Sequence, residues 1–257
     1  MEAKSFQIKK NIHLTEKLHL LELEGSFLQS PVPGQFIHIK IDPFFLRRPF
    51  SIAGYNDNTL KILYRVVGRA TEVLSEKEAG DSLNVIGPLG NGFPVNNNYK
   101  SIFLVGGGTG IAPLLFLTDT LIRKNLNISF FYGARTSECI AFHLLPYGVD
   151  YIFSTNDGSY GYKGLIGEVM QQHIKKNGKP DIIYGGGPYQ MLKQLAKISA
   201  KHKTPAFVSL ENRMACGTGI CYGCVTKIKD KTGWEYKRVC KDGPVFNTEE
   251  VIWENNP

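Results

Sequence analysis

The rhythm of apolar and polar positions changes twice along the chain. Over roughly the first hundred residues the apolar positions alternate in short runs. Phe6-Gln7-Ile8-Lys9, residues 18–23 (with one slip) and residues 35–41 each turn one face toward a core, and residues 51–54, 60–67 and 83–86 continue the series. Closely spaced strands joined by Gly, Pro and Asn turns predict an antiparallel barrel or sandwich. One helix is expected among them, over residues 71–77, with Thr71 as its capping residue. Past Asn98 the pattern becomes compact apolar runs at 101–105, 127–133, 151–154, 181–184 and 205–210, interleaved with helical stretches at 111–123, 144–145, 164–173 and 189–202. Such alternation of strand and helix predicts a mostly parallel sheet covered on both faces. From Glu211 the chain turns to cysteine and glycine. The expected organisation is a β-barrel over 1–98, an α/β domain over 99–210 and a short C-terminal segment over 211–257.

Composition narrows the setting. With 257 residues and 42% hydrophobic content the chain can bury the cores of one large or two ordinary domains. No apolar run reaches the eighteen or so residues of a membrane span. The net charge of +7 is spread along the chain without a basic block. That is a weak argument for nucleic acid, and it fits anionic cofactors or an acidic partner at least as well. Met1-Glu2-Ala3-Lys4 leads straight into strand pattern without a signal-peptide core, and the cysteines number five. Both point to a reducing, cytoplasmic setting.

The candidate chemistry is concentrated at the third segment. Cys216, Cys221 and Cys224 are spaced C-x4-C-x2-C, and Cys240 follows after fifteen intervening residues. This is the ligand order of a plant-type [2Fe–2S] site, whereas zinc sites usually pair two short knuckles. Gly217, Gly219 and Gly223 are expected to supply the left-handed backbone that a loop wrapping a cluster needs. Upstream, Arg47-Arg48-Pro49-Phe50-Ser51 enters a strand and Gly68-Arg69-Ala70-Thr71 opens the short helix. A basic residue near a helix N-terminus can hold a pyrophosphate. Gly106-Gly107-Gly108-Thr109-Gly110, between a strand and a helix, has the layout that sets backbone N–H groups against a diphosphate. Arg135, after the next strand, is either a surface residue or a partner for a 2′-phosphate. The six histidines show no metal spacing, Cys139 reads as a packing residue, and Asp157-Gly158-Ser159-Tyr160-Gly161 reads as a turn.

Several of these motifs together carry a family resemblance. Arg48-Pro49-Phe50-Ser51 is similar to the R-x-Y/F-S motif of the ferredoxin–NADP⁺ reductase superfamily, and Gly68 with Thr71 is similar to its G-x-x-T motif, with Ala70 where many relatives have Gly. Gly107-Gly108-Thr109-Gly110-Ile111-Ala112-Pro113 matches the superfamily's G-G-x-T-G-x-x-P. Gly186-Gly187-Pro188-Tyr189-Gln190-Met191 resembles its C-G-P-x-P-M loop, with Gly186 for Cys and Gln190 for Pro. Residues 214–225 and 238–246 resemble the cluster segment and the R-x-C-x-D-G-P-V-F ending of the electron-transfer subunits of two-subunit, NAD-dependent dihydroorotate dehydrogenases.

The resemblance implies FAD held by Arg48, Pro49, Phe50, Ser51, Tyr64, Arg65, Gly68 and Thr71. It implies NAD met by Gly107, Gly108, Thr109, Gly110, Gly186, Gly187 and Pro188, and a [2Fe–2S] cluster on Cys216, Cys221, Cys224 and Cys240. The flavin performs hydride transfer, so no side chain is assigned a catalytic role. The implied function is electron transfer to NAD⁺ in pyrimidine biosynthesis, from an FMN-containing catalytic partner in a heterotetramer. Small subunits of ferredoxin:NADP⁺ transhydrogenases and of sulfhydrogenases share the cluster motif. A redox-inactive binding subunit is the non-enzymatic alternative.

Overall fold

The computed structural model describes residues 3–15, 17–124 and 126–254. Six antiparallel strands close a barrel: β1 (Ala3–Thr15), β2 (Leu18–Glu24), β3 (Phe36–Lys40), β4 (Arg48–Asn56), β5 (Thr59–Arg65) and β6 (Ser82–Leu89), in the order β1-β2-β5-β4-β3-β6. Of the barrel and sandwich expected, the barrel is the one formed. Its interior is filled from alternate positions of every strand, among them Phe6, Ile8, Leu21, Ile37, Ile39, Ile52 and Leu60. One end is plugged by α1 (Arg69–Ser75), whose Ala70 and Leu74 are buried in the same core.

The second unit is a seven-stranded sheet whose last strand, β15 (Val245–Asn247), comes from the third segment; its order is β10-β9-β8-β7-β11-β12-β15. Its parallel strands are β7 (Ser101–Gly107), β8 (Asn127–Ala134), β9 (Asp150–Thr155), β10 (Tyr162–Lys163), β11 (Ile182–Gly186) and β12 (Ala206–Ser209). The helices are α2 (Ala112–Leu121), α3 (Ile166–Asn177) and α4 (Tyr189–His202). Around residues 144–145 the chain forms only a single 3-10 turn, Phe142–Leu144. The unbroken apolar runs follow from double-sided burial. Ile102, Leu104, Phe130 and Tyr184 face a core shared with α2 and the outside of the barrel. Phe103, Val105, Phe131 and Ile183 face the opposite core, beneath α3 and α4.

The third segment adds a hairpin, β13 (Val225–Asp230) with β14 (Gly233–Arg238), and β15 (Val245–Asn247). None of these three strands is among those expected from the sequence. β15 pairs antiparallel with β12, so the segment extends the sheet of the second unit. Cys224, Ile228, Val239, Cys240 and Val251 are buried in the core beneath α3 and α4. Among the described residues no helix is long and apolar enough to cross a membrane.

Candidate functional site

Where barrel, sheet and third segment meet, two cavities lie side by side. The one on the barrel side, about 380 Å³, lies between Arg48, Phe50 and Tyr64 and, across from them, Thr109, Met214 and Pro244. Pro49, Ser51, Arg65 and Thr71 also line it. The cavity on the sheet side, about 540 Å³, is lined by Gly107, Gly108, Thr109 and Gly110 from the end of β7 and by Gly187 and Pro188 from the end of β11. Arg65, Thr109 and Glu211 belong to both linings, so they form a common wall.

Local chemistry explains the barrel-side walls. Arg48 opens β4, bonds the Leu46 carbonyl at 2.6 Å and lies over the Phe44 ring. Neither Arg48 nor Arg65 has a carboxylate partner among the described residues, which leaves both for an anionic ligand. Thr71 does not cap α1 from its first position, as the sequence suggests. Gly68 takes that place, and Thr71, three residues on, reaches back. Its hydroxyl oxygen accepts from the N–H groups of Val67 and Gly68 at 2.9 and 3.2 Å and donates to the Gly68 carbonyl at 2.8 Å. Ala70 turns its methyl into the barrel core, away from this turn. The Tyr64 hydroxyl donates to Asn11 Oδ1 at 3.0 Å, and burial pushes its pKa up to about 12, against the pull of that Asn11 contact. Tyr64 is therefore a neutral, fixed wall whose ring meets Phe50 edge-on.

On the sheet side the two glycine loops touch through their backbones. A Cβ on Gly110 would strike the Gly187 backbone, and one on Gly186 would strike the Gly110 carbonyl oxygen. Gly186, where the superfamily motif has Cys, leaves room for the two loops to touch. Gly186 is buried at the end of β11, and the sheet-side cavity is lined by its neighbours Gly187 and Pro188. Pro113 sits in the first turn of α2, where a missing N–H costs little. Arg135, Cys139 and Gln190 also line this cavity, Cys139 half-buried. The stretch from Asp157 to Gly161 closes on itself through Ser159–Asp157 and Tyr160–Thr155 hydrogen bonds, as a turn does. Glu211 carries no motif, and sequence reasoning leaves it out of the site. Its side chain is exposed where it lines both cavities, and desolvation by the surrounding walls raises its pKa. The signal was its place directly after β12, at the carboxyl edge where ligands of parallel sheets sit.

The four cysteines converge through the hairpin. Val225 pairs with Arg238, and the Val239 N–H donates to the Cys224 carbonyl at 2.9 Å, which brings Cys224 beside Cys240. Both are buried, Cys216 is half-buried and Cys221 exposed. Backbone N–H groups point at the sulfurs: Thr218 and Cys221 at Cys216 Sγ, Gly223 at Cys221 Sγ and Cys240 at Cys224 Sγ, each at 3.4 Å. Burial opposes the Cys216 thiolate, but those two N–H donors outweigh it and bring the pKa down to about 6. Burial and the neighbouring Cys224 push Cys240 up.

Gly217 and Gly219 are left-handed, with φ of 68° and 85°. Gly223 is not. Tyr222 takes the third left-handed position, φ 56°, under the Arg238 guanidinium 5.0 Å from its ring. Arg238 also donates to the Gly219 carbonyl and Asp242, tying loop to hairpin. Among the described residues no three Cys, His, Asp or Glu side chains gather at a single-ion site. A two-iron cluster does not require that, because its four thiolates are shared between two irons. Inward N–H groups and four accessible or paired thiols fit such a cluster.

Residues 211–252 match the family described as the iron-sulfur cluster binding domain of dihydroorotate dehydrogenase B. The chain is 42% identical to the dihydroorotate dehydrogenase B (NAD(+)) electron transfer subunit of Caldanaerobacter subterraneus subsp. tengcongensis, over 88% of this chain and 89% of that one. It is 36% identical to the subunit of the same name from Clostridium perfringens, over 98% of each chain. Among solved structures, an NADH-dependent reduced ferredoxin-NADP oxidoreductase superposes with a TM-score of 0.84 at 30% identity, covering 96% of this chain and 90% of that one. A ferredoxin NADP⁺ reductase from Neisseria gonorrhoeae with bound FAD and NADP shares the fold, with a TM-score of 0.67 at 17% identity, covering 83% of this chain and 95% of that one. Together with the barrel, the glycine loops and the cysteine hairpin, these similarities establish that the chain belongs to the family of electron transfer subunits of NAD-dependent dihydroorotate dehydrogenase B.

Proposed function

We propose that this chain links oxidation of dihydroorotate, on an FMN-containing partner subunit, to reduction of NAD⁺ in the cytoplasm. The single observation that carries this reading is contiguity. The sheet-side cavity meets the barrel-side cavity at Arg65, Thr109 and Glu211, and Met214, two residues before Cys216, lines the barrel-side cavity. FAD and a [2Fe–2S] cluster, when bound, supply hydride exchange with nicotinamide and one-electron exchange with the partner. The residues do the rest. Arg48 and the turn pinned by Thr71 at Gly68 hold a pyrophosphate, and Pro49, Phe50, Ser51 and Tyr64 wall the ring. Gly107 to Gly110, Gly187 and Pro188 let a second diphosphate approach the backbone, and Gly186 lets their loops meet. Arg65, Thr109 and Glu211 stand where the two ligands meet. Cys216, Cys221, Cys224 and Cys240 hold the cluster.

The three proposed units, 1–98, 99–210 and 211–257, correspond to these three tasks. Exposed Ile220, Tyr222, Trp234 and Tyr236 on the cluster segment provide an apolar face for the partner. The purified chain should carry flavin and cluster absorbance that NADH bleaches, and should form no orotate until the FMN subunit is added. Orotate formation by the chain alone, or a colourless chain indifferent to NADH, would overturn the reading. The similarity to the NADH-dependent reduced ferredoxin-NADP oxidoreductase favours a second reading, a transhydrogenase-type subunit. Reduction of the flavin through the co-purified partner by dihydroorotate, rather than by reduced ferredoxin, separates the two.

A further inference from the structure

The outer face of β3 carries Phe36 and His38, while Ile37 and Ile39 point into the barrel. Phe36 joins the core that contains Cys224 and Cys240, and its ring meets His38 at 5.8 Å. His38 is 0% exposed, and both ring nitrogens lack a hydrogen-bond partner. Its ring fills the space beneath Gly217, where a Cβ would land on the imidazole. Burial, with Arg47 adding to it, lowers its pKa to about 4, so the ring is neutral and carries one N–H donor and one acceptor. An orphaned buried donor keeps its desolvation cost without the bond that would offset it. An imidazole that served only for packing would be replaced at no such cost by an apolar side chain.

Building on the cluster reading above, we propose that His38 holds one ring N–H ready for the sulfur of the cluster bound by the Cys216–Cys224 loop, and thereby sets its potential. The donor comes from β3 of the barrel, so one buried side chain of the barrel reaches the cluster loop. Hydrogen bonds to cluster sulfur raise its reduction potential.

The test uses the whole chain, labelled with ¹⁵N-histidine and with its cluster reduced. Pulsed EPR should show coupling to one imidazole nitrogen, lost in His38→Leu. The His38→Leu cluster potential should shift negative while the flavin potential stays put, and His38→Gln, which keeps a donor, should recover part of the shift. Absence of coupling in the unmodified protein overturns the proposal even if the variants fail to fold, as does a His38→Leu potential equal to that of the parent. A chain with no cluster signal at all would instead refute the cluster reading on which the proposal rests.

Discussion

The barrel and the cluster segment solve the problem of holding a redox group in opposite ways. The barrel closes on itself, and residues such as Phe6, Ile37, Ile39 and Leu60 fill an interior built from its own strands and α1, with Phe116 of α2 packed against it. Each such side chain contributes about 1.5–3 kcal/mol through burial. The cluster segment has no interior of its own. Its buried residues complete the core under α3 and α4, β15 completes the sheet, and the hairpin leaves Trp234 and Tyr236 half-exposed. The barrel should therefore keep its shape without flavin, whereas the cluster loop depends on thiolate ligation and on docking to its neighbours.

The largest expected effect follows from that difference. Cys240→Ser removes a buried thiol proposed to hold the cluster and should abolish the cluster's absorbance and EPR signal, while flavin content stays near that of the parent. Concurrent loss of flavin would break the comparison. Next, Gly217→Ala places a methyl on the His38 ring at a left-handed φ. Iron content should fall several-fold. Gly223→Ala, in the same loop, should leave iron content nearly unchanged, since φ there is not left-handed and a Cβ meets only Cys221 Sγ at 3.5 Å.

The same contrast governs what could be read from sequence. Alternation revealed the barrel strands because one face of each lines the barrel interior, and the helix Tyr189–His202 emerged with its ends in place because its apolar stripe is regular. The cysteines were legible from spacing. The β13–β14 hairpin was not: Trp234-Glu235-Tyr236-Lys237 alternates, but β14 is largely exposed, so the alternation marks no buried face. The three residues of β15 are too short for any period, and only their pairing with β12 makes them a strand. Tyr222 in the left-handed position, Glu211 between the cavities and His38 under Gly217 depend on residues distant in sequence, and no local motif announces them.

An intermediate effect is expected at the sheet. Gly186→Ala forces the β7 and β11 loops apart at the Gly110 carbonyl. The KM for NADH should rise about tenfold, equivalent to about 1.4 kcal/mol. Flavin and iron content should not change, because neither the barrel interior nor the cysteine loop includes this contact. A loss of iron instead would mean that the segment senses the carboxyl edge of the sheet as well as its core.

The smallest effect tests whether the segment's dependence on the sheet reaches to the sheet's far end. The Asp181 carboxylate accepts the N–H groups of Lys100 at 2.7 Å and Ser101 at 2.9 Å, where β7 begins. The Ser101 and then the Lys100 N–H hold its pKa below the usual carboxylate value. The depressed pKa means that the folded state prefers the ionised form more than the unfolded chain does. The stabilisation is thus complete above the unfolded value of about 3.9 and is lost as pH falls through the lower folded value. Asp181→Asn should lower the urea midpoint slightly at pH 7 and converge with the parent as pH falls through the lowered folded value. Because the group is exposed, the change should be small. At pH 7 the small loss should appear in amide exchange of β7, β11 and the cluster segment and not in the barrel strands. Equal loosening of the barrel would show that α2, which joins sheet to barrel, transmits stability as effectively as the shared core does.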